Sequence, residues 1–147
     1  MKLHQLSVFL ENRPGQLSIP CRALAQAGIN IVTLSLADTQ QFGILRLVLP
    51  DWRKAKAVLE QAGCVVNVTE VVAIDVPDRP GGMADVLEVI ERRQINIEYM
   101  YAFTSRCGEK AVVIFRFDNP DEALKMLGEE GVNVVRESEL FQLIDVK

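Results

Sequence analysis

Large aliphatic residues recur at every second position from Leu6 to Leu10, where Leu6, Val8 and Leu10 interleave with Ser7 and Phe9, and again from Val72 to Val76, where Val72, Ile74 and Val76 interleave with Ala73 and Asp75. A period of two residues predicts a β-strand in each place. Both runs end in the same step, Asn12-Arg13-Pro14-Gly15 and Asp78-Arg79-Pro80-Gly81. Beyond it the spacing becomes helical: Leu17, Cys21, Leu24 and Gly28 in one copy, Met83, Leu87, Ile90 and Gln94 in the other, so an amphipathic helix follows each turn. Pro20 falls close enough to the opening of the first helix to be tolerated there.

The remaining pattern repeats as well. Residues 29–38 and 95–104 predict second strands, and 43–49 and 111–117 predict third strands, each pair forming a hairpin. A second helix is signalled by Asn119-Pro120-Asp121-Glu122, which supplies an N-cap, a proline for the first turn and carboxylates over the positive end of the helix dipole; Asp51 before Trp52 is the matching cap. Gly63 and Gly131 stop these helices. The stretches 65–76 and 132–146, rich in β-branched residues, read as final strands.

A step of 66 positions carries Arg13 onto Arg79 and Ile29-Asn30-Ile31 onto Ile95-Asn96-Ile97, and the step becomes 68 for Ala55, Leu59 and Gly63 against Ala123, Leu127 and Gly131. The two added residues fall near Ser105–Glu109, the expected tip of a hairpin. The order is βαββαβ in each half: a duplicated α+β, ferredoxin-like sandwich of antiparallel sheets with helices on one face. The halves are 1–68 and 69–147. One strand, 69–76, is needed by both, so it is shared or exchanged between them. Glu139–Val146 resembles Glu70–Val76, Ile-Asp-Val included, and is expected to be a strand too.

Composition narrows the chemistry. The chain has 147 residues, 49% of them hydrophobic, and a formal net charge of −4, which suits a packed soluble protein and lacks the basic footprint of nucleic-acid binding. No apolar run reaches the length of a membrane span, and the N-terminus lacks a signal-peptide core, so the expected location is cytoplasmic. Cys21, Cys64 and Cys107 have no C-x-x-C spacing and suggest neither disulfides nor a metal site. Cys107, beside Arg106 in the expected hairpin tip, is the cysteine most open to reaction. The one histidine, His4, has no recognisable acid or ligand partner. No cofactor is implied.

The turns themselves carry the candidate chemistry. Pro14 and Pro80 preset φ, and Gly15 and Gly81 permit positive φ, so backbone N–H groups at the helix start can meet a carboxylate. The bland reading is that Pro-Gly merely punctuates strand and helix, with Arg13 and Arg79 solvating the rim. Tyr99, Tyr101 and Phe103 share one sheet face, as core packing or as a binding floor. The third strands are apolar on both faces, Leu45, Leu47 and Leu49 against Ile44 and Val48, and Val113, Phe115 and Phe117 against Val112 and Ile114. Helices cover only one, which predicts a homodimer.

A strand, [Asn/Asp]-Arg-Pro-Gly, a helix and then Gly28-Ile29-Asn30-Ile31 or Gln94-Ile95-Asn96-Ile97 resembles the ACT domain, a regulatory module that binds amino acids in allosteric enzymes. Asp78–Met83 with Ile95–Phe103 is similar to stand-alone proteins built of two ACT domains. The resemblance implies an amino acid or similar small carboxylate held by Asn12, Arg13, Pro14, Gly15, Gln16 and Leu17, and by Asp78, Arg79, Pro80, Gly81, Gly82 and Met83. It also implies that Asn12, Asp78, Asn30 and Asn96 meet the ammonium group, with sites near a dimer interface. Asp78 is charged where Asn12 is not, which favours the second turn; Gly82 in place of Gln16 is expected to loosen it. Three function classes follow. The first is an amino-acid-sensing regulatory protein. The second is an enzyme, for which no acid–base pair, triad or metal cluster is visible. The third is an interaction module without a ligand, or a regulatory subunit of a separate enzyme such as acetolactate synthase.

Overall fold

The computed structural model describes residues 1–39, 41–103 and 110–145. Their contacts divide them into an N-terminal unit, His4–Thr69, and a C-terminal unit comprising Met1–Leu3 and the chain from Glu70 onward. The N-terminal unit runs β1 (Leu3–Glu11), α1 (Ser18–Gln26), β2 (Thr33–Thr39), β3 (Phe42–Val48), α2 (Trp52–Gln61) and the opening of β4 (Val65–Pro77). Its strands lie in the order β2-β3-β1-β4, with β3 antiparallel to both β1 and β2. In the C-terminal unit β4 continues into α3 (Gly82–Arg92), β5 (Ile97–Ala102), β6 (Lys110–Phe117), α4 (Pro120–Glu129), β7 (Val134–Val135) and α5 (Glu137–Asp145). The order there is β5-β6-β4-β7. One unbroken strand, β4, thus ends the first βαββαβ set and begins the second, as the strand count requires.

Alternation sorts each strand onto a helix-bearing face. Leu6, Val8 and Leu10 of β1 and Leu45 and Leu47 of β3 pack with Leu24 of α1 and Ala55 and Leu59 of α2. Val72, Ile74, Val76, Val113, Phe115 and Phe117 pack likewise with Val86, Ile90, Met126 and Leu127. The rings of Phe115 and Phe117 stack with centroids 5.6 Å apart. Burial of each such side chain contributes about 1.5–3 kcal/mol. His4 stacks on Trp52 at 4.8 Å, a packing role rather than a chemical one.

Caps appear where the sequence puts them. The Asp51 carboxylate accepts from the Lys54 N–H at 3.3 Å, and Asn119 accepts from the Glu122 N–H at 3.2 Å, with Pro120 in the first turn of α4. Pro20 is the third residue of α1, where its missing N–H breaks no helical bond. At the other ends, Gly28, Gly63 and Gly131 take positive φ. The next residue then bonds back to the helix: Ile29 N–H to Leu24 O at 2.9 Å, Cys64 N–H to Leu59 O at 3.0 Å and Val132 N–H to Leu127 O at 2.9 Å. These are Schellman closures. Gln94 occupies the same position after α3 at φ +55°, with Ile95 N–H reaching Ile90 O at 3.4 Å.

Several expectations need correction. Among the described residues of 132–146 there is no long strand: β7 covers only Val134–Val135, paired with Ile74 and Ala73, and α5 covers Glu137–Asp145. Leu140, Phe141, Leu143 and Ile144 recur at helical spacing among helix-forming Glu and Gln, whereas Val71, Val72, Ile74 and Val76 are mostly β-branched. Leu140 donates to Arg136 O at 2.9 Å and is buried. The second strands start later than expected, at Thr33 and Ile97, because Ile29 and Ile95 first close the helices. Tyr99 and Tyr101 pair with Arg116 and Ile114, opposite the Phe115 and Phe117 face, and are half-buried; they are not part of the helix-side core. The expected hairpin tip and Cys107 lie outside the described residues. The thiol of Cys64 is pushed up from its ordinary value by burial, which leaves less of it as the nucleophilic thiolate.

Gln94→Gly is expected to stabilise the chain by about 1 kcal/mol, since glycine removes the cost of a side chain in the left-handed region. Urea unfolding measures this; unchanged or lowered stability contradicts it.

Candidate functional site

At the first turn, Asn12 N–H donates to Gln41 O at 3.0 Å, Arg13 N–H to Glu11 O at 2.9 Å and Gln16 N–H to Arg13 O at 3.3 Å. Gly15 then turns the chain at φ +88°, with open space where a Cβ would stand. The helix begins only at Ser18; no side chain caps it and no acidic residue occupies its first turn. Arg13 holds Glu11 at 2.5 Å, both side chains more than half exposed. A cleft of about 390 Å³ opens here, lined by Glu11, Asn12, Arg13, Pro14 and Gly15 of the turn, Leu10 and Leu17 on either side, and Leu36, Asp38 and Gly43 of the β2–β3 hairpin. Register explains the hairpin's presence: Glu11 and Thr39 both face Phe42, and Leu36 and Asp38 pair with Leu45 and Gly43. Small-molecule sites fall in this size range and combine apolar walls with a few placed polar groups.

The second turn is built tighter. Gly81 caps α3 at φ +87°, and the helix starts at once with Gly82, whose N–H meets Arg79 O at 3.0 Å. A Cβ on Gly82 would lie 2.0 Å from the Pro77 carbonyl oxygen, closer than any real contact. The expectation that Gly82 loosens this loop is therefore overturned. Glycine lets helix and strand end close on one another; Gln16 carries a Cβ at the matching position, and there the helix begins two residues later in register, at Ser18. Arg79 folds back onto the Asp85 carboxylate at 3.0 Å and the Pro80 carbonyl at 3.2 Å. That puts a carboxylate of the chain's own in the first turn of α3, where an external anion would bind. Gly82 is buried and Met83 packs on the core; Asp78 and Pro80 are exposed.

Asn30 and Asn96 are both exposed and sit where helix passes into strand. Within each unit they lie at the far end of the sheet from the turn: Thr33 pairs with Val48 while Thr39 pairs with Phe42, a separation of about 20 Å at 3.3 Å per residue. Neither lines the cleft at the first turn, nor does Gln16, which borders a neighbouring pocket with Phe9, Ile19 and Phe42. The lining residues Glu11, Leu36 and Asp38 were not among the expected site residues. Leu36 could have been found by carrying the hairpin register across to the turn.

The profile of the ACT domain pair family matches residues 1–144. The chain belongs to that family. Among solved structures this ACT domain pair is similar to protein BT0572 from Bacteroides thetaiotaomicron, at 38% identity and a TM-score of 0.89, with 96% of each chain covered. It shares its fold with the regulatory subunits of aspartate kinase from Thermus thermophilus, 16% identical with a TM-score of 0.59 over 86% of this chain and 90% of that one, and from Thermus flavus, 18% identical with a TM-score of 0.56 over 88% and 93%. No curated protein matches. Among the described residues of the pair no helix is long and apolar enough to cross a membrane, and no cluster of His, Cys, Asp and Glu suits a metal ion.

Gly82→Ala is expected to destabilise the pair by at least ~2 kcal/mol through the collision with Pro77 O, and Gly15→Ala by only about 1 kcal/mol, from backbone strain without a clash. Urea midpoints at constant m-value decide it; equal losses contradict the difference in packing.

Proposed function

We propose that this ACT domain pair is a non-catalytic regulatory protein that binds an amino acid at the first Arg-Pro-Gly turn and passes that binding on to an enzyme. The observation that carries the reading is the 390 Å³ cleft that brings Arg13, Glu11 and the uncapped start of α1 together with the β2–β3 hairpin. Arg13 and the N–H groups at the start of α1 offer the ligand carboxylate charge-assisted hydrogen bonds, while Glu11, Asp38 and Asn12 offer acceptors to its ammonium. In this reading the ranking by formal charge, which preferred Asp78, is reversed: Asp85 already places a carboxylate in the first turn of α3, whereas the first turn of α1 has no acidic residue. Nucleic acid and membrane are not partners in this proposal, and the location is cytoplasmic.

The proposal includes a homodimer. Leu34 and Leu36 are 44% and 55% exposed on β2, which ends the strand order of its unit. An exposed apolar edge strand is a surface that a second copy covers. Asn30, distant from its own unit's turn, is then available to the other copy.

A thermal-shift screen of the twenty amino acids is expected to give a ligand that raises the melting temperature, because it binds the native state alone. Arg13→Ala should weaken that ligand by at least about tenfold, the loss of one charge-assisted bond, and Arg79→Ala by less than about twofold. No stabilising amino acid contradicts the sensor reading; equal effects of the two substitutions contradict the choice of turn. Light scattering is expected to give twice the chain mass, and a strictly monomeric protein removes the dimer.

A further inference from the structure

We infer that the cleft at the first turn selects α-amino acids with uncharged aliphatic side chains; the inference rests on the amino-acid reading above and adds the class of side chain. The lining divides by chemistry. Glu11, Asn12, Arg13 and Asp38 are its side chains with charge or hydrogen-bonding groups, and Leu10, Leu17 and Leu36 are its large apolar ones. Leu36 is 55% exposed and Leu17 is 41% exposed, so substantial aliphatic surface faces water where the cleft opens. A ligand side chain laid on these leucines removes that surface from water without creating an unpaired polar group.

The charged groups are matched to the invariant part of an amino acid. Arg13 and Glu11 are already paired at 2.5 Å, a cation and an anion held as close as the two charges of a zwitterion. Insertion of an amino acid exchanges this one pair for two, carboxylate to guanidinium and ammonium to Glu11, with Asp38 as second acceptor for the ammonium. Among the lining residues Arg13 is the one cation; once it holds the α-carboxylate, an acidic side chain meets only Glu11 and Asp38 and is repelled. A basic side chain would have to divide those two carboxylates with the α-ammonium and stretch its stem past the leucines. A hydroxyl or hydrogen leaves Leu36 and Leu17 in water.

Isothermal titration of the full chain with leucine, isoleucine, valine, methionine, glycine, serine, aspartate and lysine tests this. At least one of the four aliphatic amino acids is expected to bind tenfold or more tighter than glycine, serine, aspartate or lysine. Two leucine analogues, 4-methylpentanoate lacking the ammonium and 3-methylbutylamine lacking the carboxylate, should each bind at least tenfold more weakly than leucine. Leu17→Ser, which lies outside the β2 edge assigned to the dimer, should weaken leucine at least fivefold with an unchanged unfolding midpoint; should that midpoint fall, Leu36→Ser supplies the same measurement from the other wall, with light scattering to show that the dimer persists. Tightest binding of a charged or small amino acid overturns the side-chain class while leaving the amino-acid reading standing. An aliphatic preference insensitive to both leucine substitutions overturns its assignment to this cleft. Binding of no amino acid overturns both.

Discussion

A strand that must turn straight into a helix brings the last strand carbonyls against the first helical residues, and what stands at that meeting point governs both turns of this ACT domain pair. At the second turn a bare glycine, Gly82, lies so near the Pro77 carbonyl that a Cβ would come to 2.0 Å. The helix begins immediately, and Asp85 in its first turn pairs with Arg79 at the surface. At the first turn Gln16 has a side chain at the corresponding place. There α1 begins only at Ser18, and a cleft lies between the turn and the β2–β3 hairpin.

Much of the fold was legible because its signals are local. Asp51 and Asn119 cap the helices they precede, glycines end them, and period-two alternation identifies which of Leu6, Ser7 and Val8 meet the helices. The Ile-Asn-Ile repeat was legible as a repeat but not as to purpose: Ile29 and Ile95 close helices through bonds to Leu24 and Ile90, which delays the strands that follow. The C-terminus was misread because likeness to Glu70–Val76 was weighed above periodicity. Leu140 and Phe141 replace β-branched valines there, and the helical spacing of the apolar residues prevails once only two residues, Val134 and Val135, pair with β4.

The site was legible only in part. Arg-Pro-Gly announces its position, and the register of β2, β3 and β1 brings the hairpin to it, but a walk along the sequence does not show which strand end lies beside which turn. Asn30 and Asn96 were assigned to the turns by resemblance, whereas antiparallel pairing puts them at the opposite end of their own sheets. Glu11, Leu36 and Asp38 escaped notice for the complementary reason: they are near in space and unremarkable in sequence. Formal charge alone favours the Asp78 turn; in the reading proposed above, the carboxylate of Asp85 in the first turn of α3 counts against it.

The claim that an amino acid binds at the first turn alone is tested most directly by mapping amide chemical shifts as the stabilising amino acid is titrated in. The account predicts saturable shifts at Gly15, Gln16, Leu17 and Leu36 with one equivalent of ligand per chain, and amides of Gly81, Gly82 and Met83 that stay in place. Shifts centred on Gly81 to Met83, or two equivalents distributed over both turns, would contradict it.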